Sequence, residues 1–289
     1  MQQSSLERET MDKKRIAVIG AGNMGGALLK GMMRRSWARP ENFIVSDSDS
    51  AKLEVFTKEL KVRTTEDNRK AAKDADIILL AVKPQILDQV LEEIGGSLSP
   101  KQILVSVAAG VKTEHISSFV KKEISVIRAM PNICALIGES ASAISGGKHA
   151  SKEDMKLARE ILESVGTVVE VQEYLMDAVT GLSGTGPMYV FLIVEGLSDA
   201  GVKVGLGRDI ANALSVQTLL GAAKMIKETN MHPAKLKDLV TSPGGTAIAA
   251  LHSLEKSGLK AMLIDAVETA TKRSQELGRH PHSVDEKNS

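Results

Sequence analysis

Cysteine, aromatic side chains and net charge are all scarce in this sequence. Its 289 residues include one cysteine, Cys134, which excludes an internal disulfide framework and is typical of a reducing compartment. Aromatic residues make up 2% of the chain and the formal net charge is +1. A nucleic-acid binder would need a basic face and stacking rings, so we expect no nucleic-acid partner.

Long hydrophobic runs are also missing. The longest, ADIILLAV and YVFLIV, are far shorter than the roughly 20 residues of a membrane-spanning helix. The first ten residues hold no apolar segment of the kind that a secretory signal requires. We therefore predict no membrane partner and a cytoplasmic location, with polar tails at residues 1–13 and 281–289.

Short apolar runs alternate with helical segments from Arg15 onward. The predicted strands are Arg15–Gly20, Phe43–Ser46, Ala75–Val82, Ile103–Ala109, Ser125–Met130, Ser142–Ser145 and Thr167–Val171. The predicted helices are Met24–Arg35, Ala51–Leu60, Ile86–Ile94, Thr113–Val120 and Lys152–Val165. Apolar strands separated by helices indicate a parallel sheet covered on both faces. Residues 14–175 are thus predicted to form an α/β Rossmann-type domain with a doubly wound, mostly parallel sheet.

The pattern changes after Tyr174, where helical segments follow one another and no convincing strand occurs. Residues 176–280 are therefore predicted to form an all-α domain. Within it, Met188–Val194 is apolar enough to be buried on every side, which is more than a small domain offers. This favours a subunit interface, and so a C-terminal dimerisation domain.

A glycine-rich turn follows the first predicted strand. In GAGNMG, Gly20, Gly22 and Gly25 have the G-x-G-x-x-G spacing, between a strand and a helix. These glycines suit a tight turn, close approach of a pyrophosphate and close helix–strand packing. The pyrophosphate would lie at the helix N-terminus, where N–H groups and the helix dipole favour negative charge. The predicted dinucleotide-binding residues are Gly20, Ala21, Gly22, Asn23, Met24 and Gly25.

The end of the second strand leaves the choice of cofactor open. Asp47 follows the last motif glycine by about 20 residues, where a carboxylate would accept hydrogen bonds from the ribose of NAD. Ser46 and Ser48 could instead bind the 2′-phosphate of NADP, with Lys52 or Arg69 supplying charge. Asp47 is equally compatible with a turn or with capping the next helix.

Two further segments close predicted strands and should face the same cofactor. They comprise Ala81, Val82, Lys83 and Pro84 after one strand, and Ala108, Ala109 and Gly110 after the next. Lys83 lies either beside the nicotinamide or in solvent.

A hydroxyl-rich and glycine-rich stretch, VTSPGGTAIAALHSLE, begins at Val240 and precedes a helical segment. Its serine and threonines could cap that helix. Alternatively, its hydroxyl and N–H groups could bind a carboxylate or phosphate.

The sequence resembles pyrroline-5-carboxylate reductase over nearly the whole span from Arg15 to Leu277. The resemblance is carried by GAGNMGGAL, AVKP, GLSGTGPMYVF at Gly181–Phe191, DAGVKVGLGR at Asp199–Arg208, and HPAKLKDLVTSPGGT at His232–Thr246. The combination of GLSGTGP with TSPGG is specific to that family. It implies an NAD(P)H-dependent enzyme that reduces 1-pyrroline-5-carboxylate to L-proline, the last step of proline biosynthesis.

The resemblance also assigns site residues. It implies that Ser46 and Asn68 contact the adenosine end of the nucleotide, and that the two strand-closing segments line the cofactor groove. It implies a pocket for the substrate carboxylate at the TSPGG turn, formed by Ser242, Gly244, Gly245, Thr246 and Ala247. It further implies an intertwined homodimer or a larger oligomer built from dimers, with the substrate pocket at the dimer interface.

Two positions depart from the family pattern. A second threonine that commonly follows Gly-Gly and reaches the ring nitrogen is replaced by Ala247. Either Thr246 or a water would take that catalytic role, or turnover would be weaker. MPN is followed by Ile133-Cys134 rather than by a pair such as Thr-Pro.

NADP(H) is favoured by the resemblance, whereas Asp47 favours NAD(H). No metal site is predicted, because no His, Cys or Asp cluster has ligand spacing. The alternatives are a reductase of another cyclic imine or small acid, and a low-turnover dinucleotide-binding protein. Related β-hydroxyacid dehydrogenases would be expected to carry a catalytic lysine where this chain has none before Lys203.

Overall fold

The computed structural model describes residues 14–120 and 122–278, so both predicted tails lie outside the described residues. These residues form two compact units, one of residues 14–185 with 269–278 and the other of residues 186–268. The first unit extends to residue 185, ten residues past the boundary predicted between residues 175 and 176, and includes the end of the last helix.

The first unit contains an eight-stranded sheet in the order β3-β2-β1-β4-β5-β6-β7-β8. The strands are β1 Ile16–Ile19, β2 Phe43–Ser46, β3 Arg63–Thr65, β4 Ile77–Leu80, β5 Ile103–Ser106, β6 Ser125–Met130, β7 Ser140–Gly146 and β8 Gly166–Glu170. All neighbours pair in parallel except β6 and β7. The predicted doubly wound, mostly parallel sheet is confirmed. β3 was not predicted, because it is only three residues long and lies at the sheet edge.

Helices cover both faces of this sheet. They are α1 Asn23–Arg34, α2 Ser50–Leu60, α3 Asn68–Lys73, α4 Pro84–Gly95, α5 Thr113–Ser118, α6 Lys152–Glu163 and the short α7 Met176–Val179. Alternate residues of β1 face opposite sides: Val18 belongs to one buried cluster, whereas Ala17 and Ile19 belong to the other. All four residues of β1 are at most 1% exposed. This double burial explains why the strands are apolar without alternation.

The second unit is helical throughout its described residues, as predicted. Its helices are α8 Gly186–Lys203, α9 Arg208–Thr229, α10 Pro233–Val240, α11 Thr246–Lys256 and the first part of α12 Leu259–Leu277. Large apolar side chains are exposed on α8, α9 and α12, among them Phe191 and Ile264, which are 62% and 65% exposed. In the single chain α8 is therefore open to solvent rather than buried on every side, which leaves an apolar surface available for another subunit.

Within the described part of the chain, no helix is long and apolar enough to cross a membrane. The cytoplasmic location stays a prediction.

Candidate functional site

The predicted cofactor-binding segments lie side by side at the edge formed by the carboxyl ends of the parallel strands. The N–H of Gly20 donates to the carbonyl oxygen of Ser46 (2.8 Å), and the N–H of Ala81 donates to that of Ile19 (2.8 Å). Directly after β5, the N–H of Val107 donates to the carbonyl oxygen of Leu80, the last residue of β4 (3.1 Å). Strand order reverses between β1 and β4. Open α/β sheets bind ligands beyond the carboxyl ends of their strands at such a reversal.

The three glycines of the first turn have the three different environments that their roles require. Gly20 has a φ of +110°, and a Cβ there would lie 2.6 Å from the carbonyl oxygen of Ala81. A Cβ at Gly25 would clash with the carbonyl oxygen of Gly20. A Cβ at Gly22, in contrast, would meet no protein atom within 4 Å. The turn is thus closed by Gly20 and Gly25 and open at Gly22, where an external group can approach.

The start of α1 is suited to a phosphate. Gly22 is the N-cap residue, and no described side chain caps this helix end. Gly22 and Asn23 are exposed, whereas Ala21 and Gly25 are buried. A cavity of about 650 Å³ adjoins Ala21, Gly22 and Asn23 and extends along α1 to Lys30 and Arg34. Uncapped N–H groups and a glycine without a side chain fit an anionic pyrophosphate.

Asp47 braces the glycine turn. One carboxylate oxygen accepts a hydrogen bond from the N–H of Ala21 (2.8 Å), and the other accepts one from the N–H of Asp49 (3.0 Å). The ammonium of Lys52 lies 3.6 Å from the same carboxylate. The helix cap at α2 is Asp49, not Asp47. Of the readings left open for Asp47, its contacts therefore favour the structural one, and Lys52 faces this carboxylate.

Ser46, a predicted contact of the nucleotide, lies inside the protein. It is fully buried, and its hydroxyl donates to the side-chain carbonyl of Asn68 (2.8 Å). The amide nitrogen of Asn68 donates in turn to the Glu93 carboxylate (2.7 Å). In this structure the Ser46 hydroxyl is therefore occupied by Asn68, and the contact of Ser46 with the nucleotide stays a prediction. Of the two serines considered for a 2′-phosphate, only Ser48 is exposed.

The segments after β4 and β5 differ in exposure. Ala81, Val82 and Pro84 are half-buried, and Lys83 is exposed as the N-cap residue of α4. Ala108 and Gly110 are buried and Ala109 is half-buried, with a positive φ of +79° at Gly110. These residues lie at the predicted edge, and their contact with a cofactor stays a prediction.

The predicted substrate loop lies in the second unit at the start of α11. Gly245 is the N-cap residue, and no side chain within the described residues caps the helix. The predicted Ser or Thr cap is thus wrong: the Thr241 hydroxyl donates back to the carbonyl oxygens of Lys237 (3.2 Å) and Asp238 (3.3 Å) in α10. Because no side chain occupies the N-terminus of α11, that helix end is suited to an anion.

The shape of this loop depends on both glycines. Gly244 has a φ of +68° and open space around it. A Cβ at Gly245 would clash with the hydroxyl of Ser242, which folds over the turn. The structure thus brings Ser242, Gly244, Gly245, Thr246 and Ala247 together at one helix end. The catalytic role of Thr246 stays a prediction.

At the opposite end of α11, the pKa of Glu255 is lowered because its carboxylate accepts a hydrogen bond from Lys260 and is attracted by that positive charge. Both side chains are exposed, Glu255 by 46% and Lys260 by 72%, and the pair lies at the end of α11 away from the TSPGG turn.

One feature of the site was not predicted from the sequence. Residues Thr180–Gly184, which overlap the first four residues of the GLSGTGP motif, form a π-helical turn, a form frequent at functional sites. Asn132 fixes this turn by donating to the carbonyl oxygen of Ser183 (3.0 Å). The same side chain accepts from the N–H of Cys134 (3.0 Å), so it also caps the 3-10 turn Ile133–Ile137 in which the departing pair lies. The cluster of small residues was the only sequence signal.

No group of three or more His, Cys, Asp or Glu that could hold a metal occurs within residues 14–120 and 122–278. A cavity of about 730 Å³ between α6 and the end of β8 contains none of the predicted site residues. Arg159, which lines this cavity, donates to the carbonyl oxygen of Val168 (3.0 Å) and to the carboxylate of Glu170 (3.3 Å).

Comparison with known proteins gives one consistent result. A family model described as pyrroline-5-carboxylate reductase dimerisation matches residues 173–277. A second, described as NADP oxidoreductase coenzyme F420-dependent, matches residues 15–110. A pyrroline-5-carboxylate reductase of Methanosarcina acetivorans is 45% identical over 93% of this chain and 100% of the relative.

Solved structures agree. The chain resembles a pyrroline-5-carboxylate reductase from Coxiella burnetii with a TM-score of 0.87 and 36% identity, over 92% of this chain and 99% of that one. It resembles a Plasmodium falciparum pyrroline carboxylate reductase with NADP bound with a TM-score of 0.84 and 34% identity, over 93% and 99% of the two chains.

Proposed function

The chain belongs to the pyrroline-5-carboxylate reductase family, and we propose that it reduces 1-pyrroline-5-carboxylate to L-proline with NAD(P)H. The proposal rests on two glycine turns, each of which precedes a helix whose N-terminus has no side-chain cap. One, at Gly22, suits a pyrophosphate, and the other, at Gly244-Gly245, suits a carboxylate. A dinucleotide and a small carboxylic acid are the two ligands that such a reductase must hold.

The turn at Ser242–Gly245 supports capture of the substrate carboxylate. The N–H groups at the start of α11 and the Ser242 hydroxyl would donate charge-assisted hydrogen bonds, each contributing about 1.5–3 kcal/mol. The dipole of the 11-residue α11 adds about 0.3–1 kcal/mol. Holding the carboxylate fixes the C=N carbon, so the loop contributes orientation rather than acid–base chemistry.

The reduced nicotinamide supplies the hydride when bound. A protonated imine is already electrophilic, so the protein does not need a strong general acid. We assign the contact with the ring nitrogen to the hydroxyl of Thr246, the first residue of α11, because Ala247 has no hydroxyl. In this role it would orient the imine proton and so select the face that is attacked.

Self-association is part of the proposal. The match of residues 173–277 to a dimerisation family supports self-association through this part of the chain. We propose a homodimer, or an assembly of dimers, that covers the exposed apolar residues of α8, α9 and α12. NADP(H) is the favoured cofactor, because a relative in this family binds NADP. The ammonium of Lys52, 3.6 Å from the Asp47 carboxylate, would offset the negative charge of that carboxylate near a 2′-phosphate.

The proposal is tested by steady-state kinetics of the purified full-length protein. Oxidation of NADPH and of NADH is followed with 1-pyrroline-5-carboxylate and with its six-membered homologue, and the amino acid formed is identified. We expect rapid turnover of the five-membered imine, faster with NADPH, and L-proline as product. Preference for the six-membered imine would redirect the substrate assignment. Nucleotide binding without turnover of either imine would contradict the reductase.

A further inference from the structure

The loop Val107–Lys112, which includes the predicted cofactor residues Ala108–Gly110, is contacted by a distant part of the chain. The last turn of α12 closes on Gly110: a Cβ there would lie 3.3 Å from the carbonyl oxygen of Ser274 and 3.5 Å from the Cβ of Leu277. A Cβ at Gly278 would in turn clash with the carbonyl oxygen of Gly110. Backbone therefore packs directly on backbone at this point.

A buried polar network holds the end of α12 in that place. The hydroxyl of Ser274, a residue 3% exposed, donates to the Asp177 carboxylate (2.8 Å). The same carboxylate oxygen accepts from the guanidinium of Arg128 (3.1 Å), whose side chain is 2% exposed. Arg128 pairs in register with Ser106, the last residue of β5. The network is thus anchored in the sheet beside the start of the loop.

The other end of the loop is fixed as well. The carboxylate of Glu173 accepts from the N–H of Thr113 (2.6 Å) and from its hydroxyl (2.8 Å). Thr113 is buried and directly follows the loop. With β5 and Glu173 fixing its two ends, the middle of the loop at Gly110 depends on α12 for its position.

We propose that the end of α12 positions this cofactor loop, with Ser274 and Gly278 as positioning residues for the nucleotide. The inference rests on the proposed function only in that the loop binds a dinucleotide. It assigns to the C-terminal end of the chain a role in cofactor affinity, although none of these residues need touch the cofactor. If the end of α12 only stabilises the fold, its loss would lower stability and leave nucleotide affinity unchanged.

The experiment measures the Kd for NADPH and for NADH by fluorescence titration of the purified full-length protein, without imine. Ser274→Ala removes the hydrogen bond to Asp177, and Ser274→Thr retains a hydroxyl. Gly278→Ala displaces the Gly110 carbonyl. Gly96→Ala is the matched control, since a Cβ at Gly96 would meet no atom within 4 Å. Thermal unfolding is recorded for each variant.

We expect Gly278→Ala to raise the Kd for both nucleotides about tenfold, because a displaced loop loses at least one hydrogen bond to the nucleotide. Ser274→Ala should raise it severalfold, with Ser274→Thr restoring affinity and Gly96→Ala leaving it unchanged. Unchanged Kd in both Ser274→Ala and Gly278→Ala, whatever their unfolding temperature, would overturn the proposal. Since no imine is present, nucleotide binding without imine reduction would leave this inference standing while contradicting the proposed reaction.

Discussion

Breaking the buried ion pair between Arg128 and Asp177 should strongly destabilise the first unit. Its charged atoms are 3.1 Å apart, with the two side chains 2% and 15% exposed. At an effective dielectric constant of about 20, two unit charges at that separation attract by roughly 5 kcal/mol. Desolvation offsets much of this attraction, but removing one partner leaves a buried charge unpaired. Such changes cost about 3–5 kcal/mol.

We therefore expect Arg128→Met and Asp177→Asn each to lower the free energy of unfolding by about 3–5 kcal/mol. The double variant should be less destabilised than the sum of the two, by at least about 2 kcal/mol, because it leaves no unpaired charge. Urea unfolding at equilibrium, followed by the fluorescence of the single tryptophan, Trp37, measures this. Trp37 lies in the first unit, as the ion pair does.

The matched control is an exposed pair of similar length. Arg159 and Glu170 are 3.3 Å apart, but their side chains are 33% and 53% exposed. Glu170→Gln removes this ion pair and keeps the hydrogen bond from Arg159 to the carbonyl oxygen of Val168, so it should cost at most about 1 kcal/mol. If the Arg128 and Asp177 variants proved additive to within about 0.5 kcal/mol, the two residues would not be coupled and the reasoning would be refuted.

Three further predictions concern the ligands. Gly22→Ala should retain wild-type stability yet raise the Kd for NADPH more than tenfold, because its Cβ meets only the space assigned to the pyrophosphate. Gly25→Ala, whose Cβ clashes inside the turn, should lower both stability and nucleotide affinity. Equal unfolding midpoints of the two variants would contradict this contrast. Asn68→Ala should raise the KM for NADPH about tenfold, because one charge-assisted hydrogen bond is lost, and should leave kcat unchanged in steady-state assays. An unchanged KM would exclude Asn68 from the cofactor site. Ser242→Ala should raise the KM for the imine about tenfold and leave the Kd for NADPH unchanged. Ser257→Ala, at the other end of α11, is its control. Equal effects of the two variants on the KM for the imine would contradict an anion site at the start of α11.

The glycine turn was predictable because its requirements are local. Gly20 needs a positive φ, and Gly25 needs contact with its own turn, so spacing alone identifies both. Most strands of the sheet were also predictable from local sequence, because they are short apolar runs. β3 could not be predicted, since one exposed and two half-buried residues give no periodicity.

Side-chain partners were less predictable. Ser46 follows the strand pattern of a ligand contact, but its exposure depends on how Asn68, 22 residues later, packs over it. The hydroxyl cluster at Thr241 and Ser242 predicts a helix cap by composition. The chain instead turns so that Thr241 bonds the preceding helix and Gly245 takes the cap position. Ser274 and Asp177 are separated by 97 residues, and no local pattern indicates such a contact.

The most direct measurement of the central claim is the transfer of a labelled hydride. The wild-type protein is supplied with NADPH carrying deuterium at the transferred position of the nicotinamide, together with 1-pyrroline-5-carboxylate, and the product is analysed by mass spectrometry and NMR. The proposed function predicts L-proline with one deuterium, bound to the carbon that formed the C=N bond. Unlabelled proline, or labelled cofactor recovered intact beside unreacted imine, would contradict it.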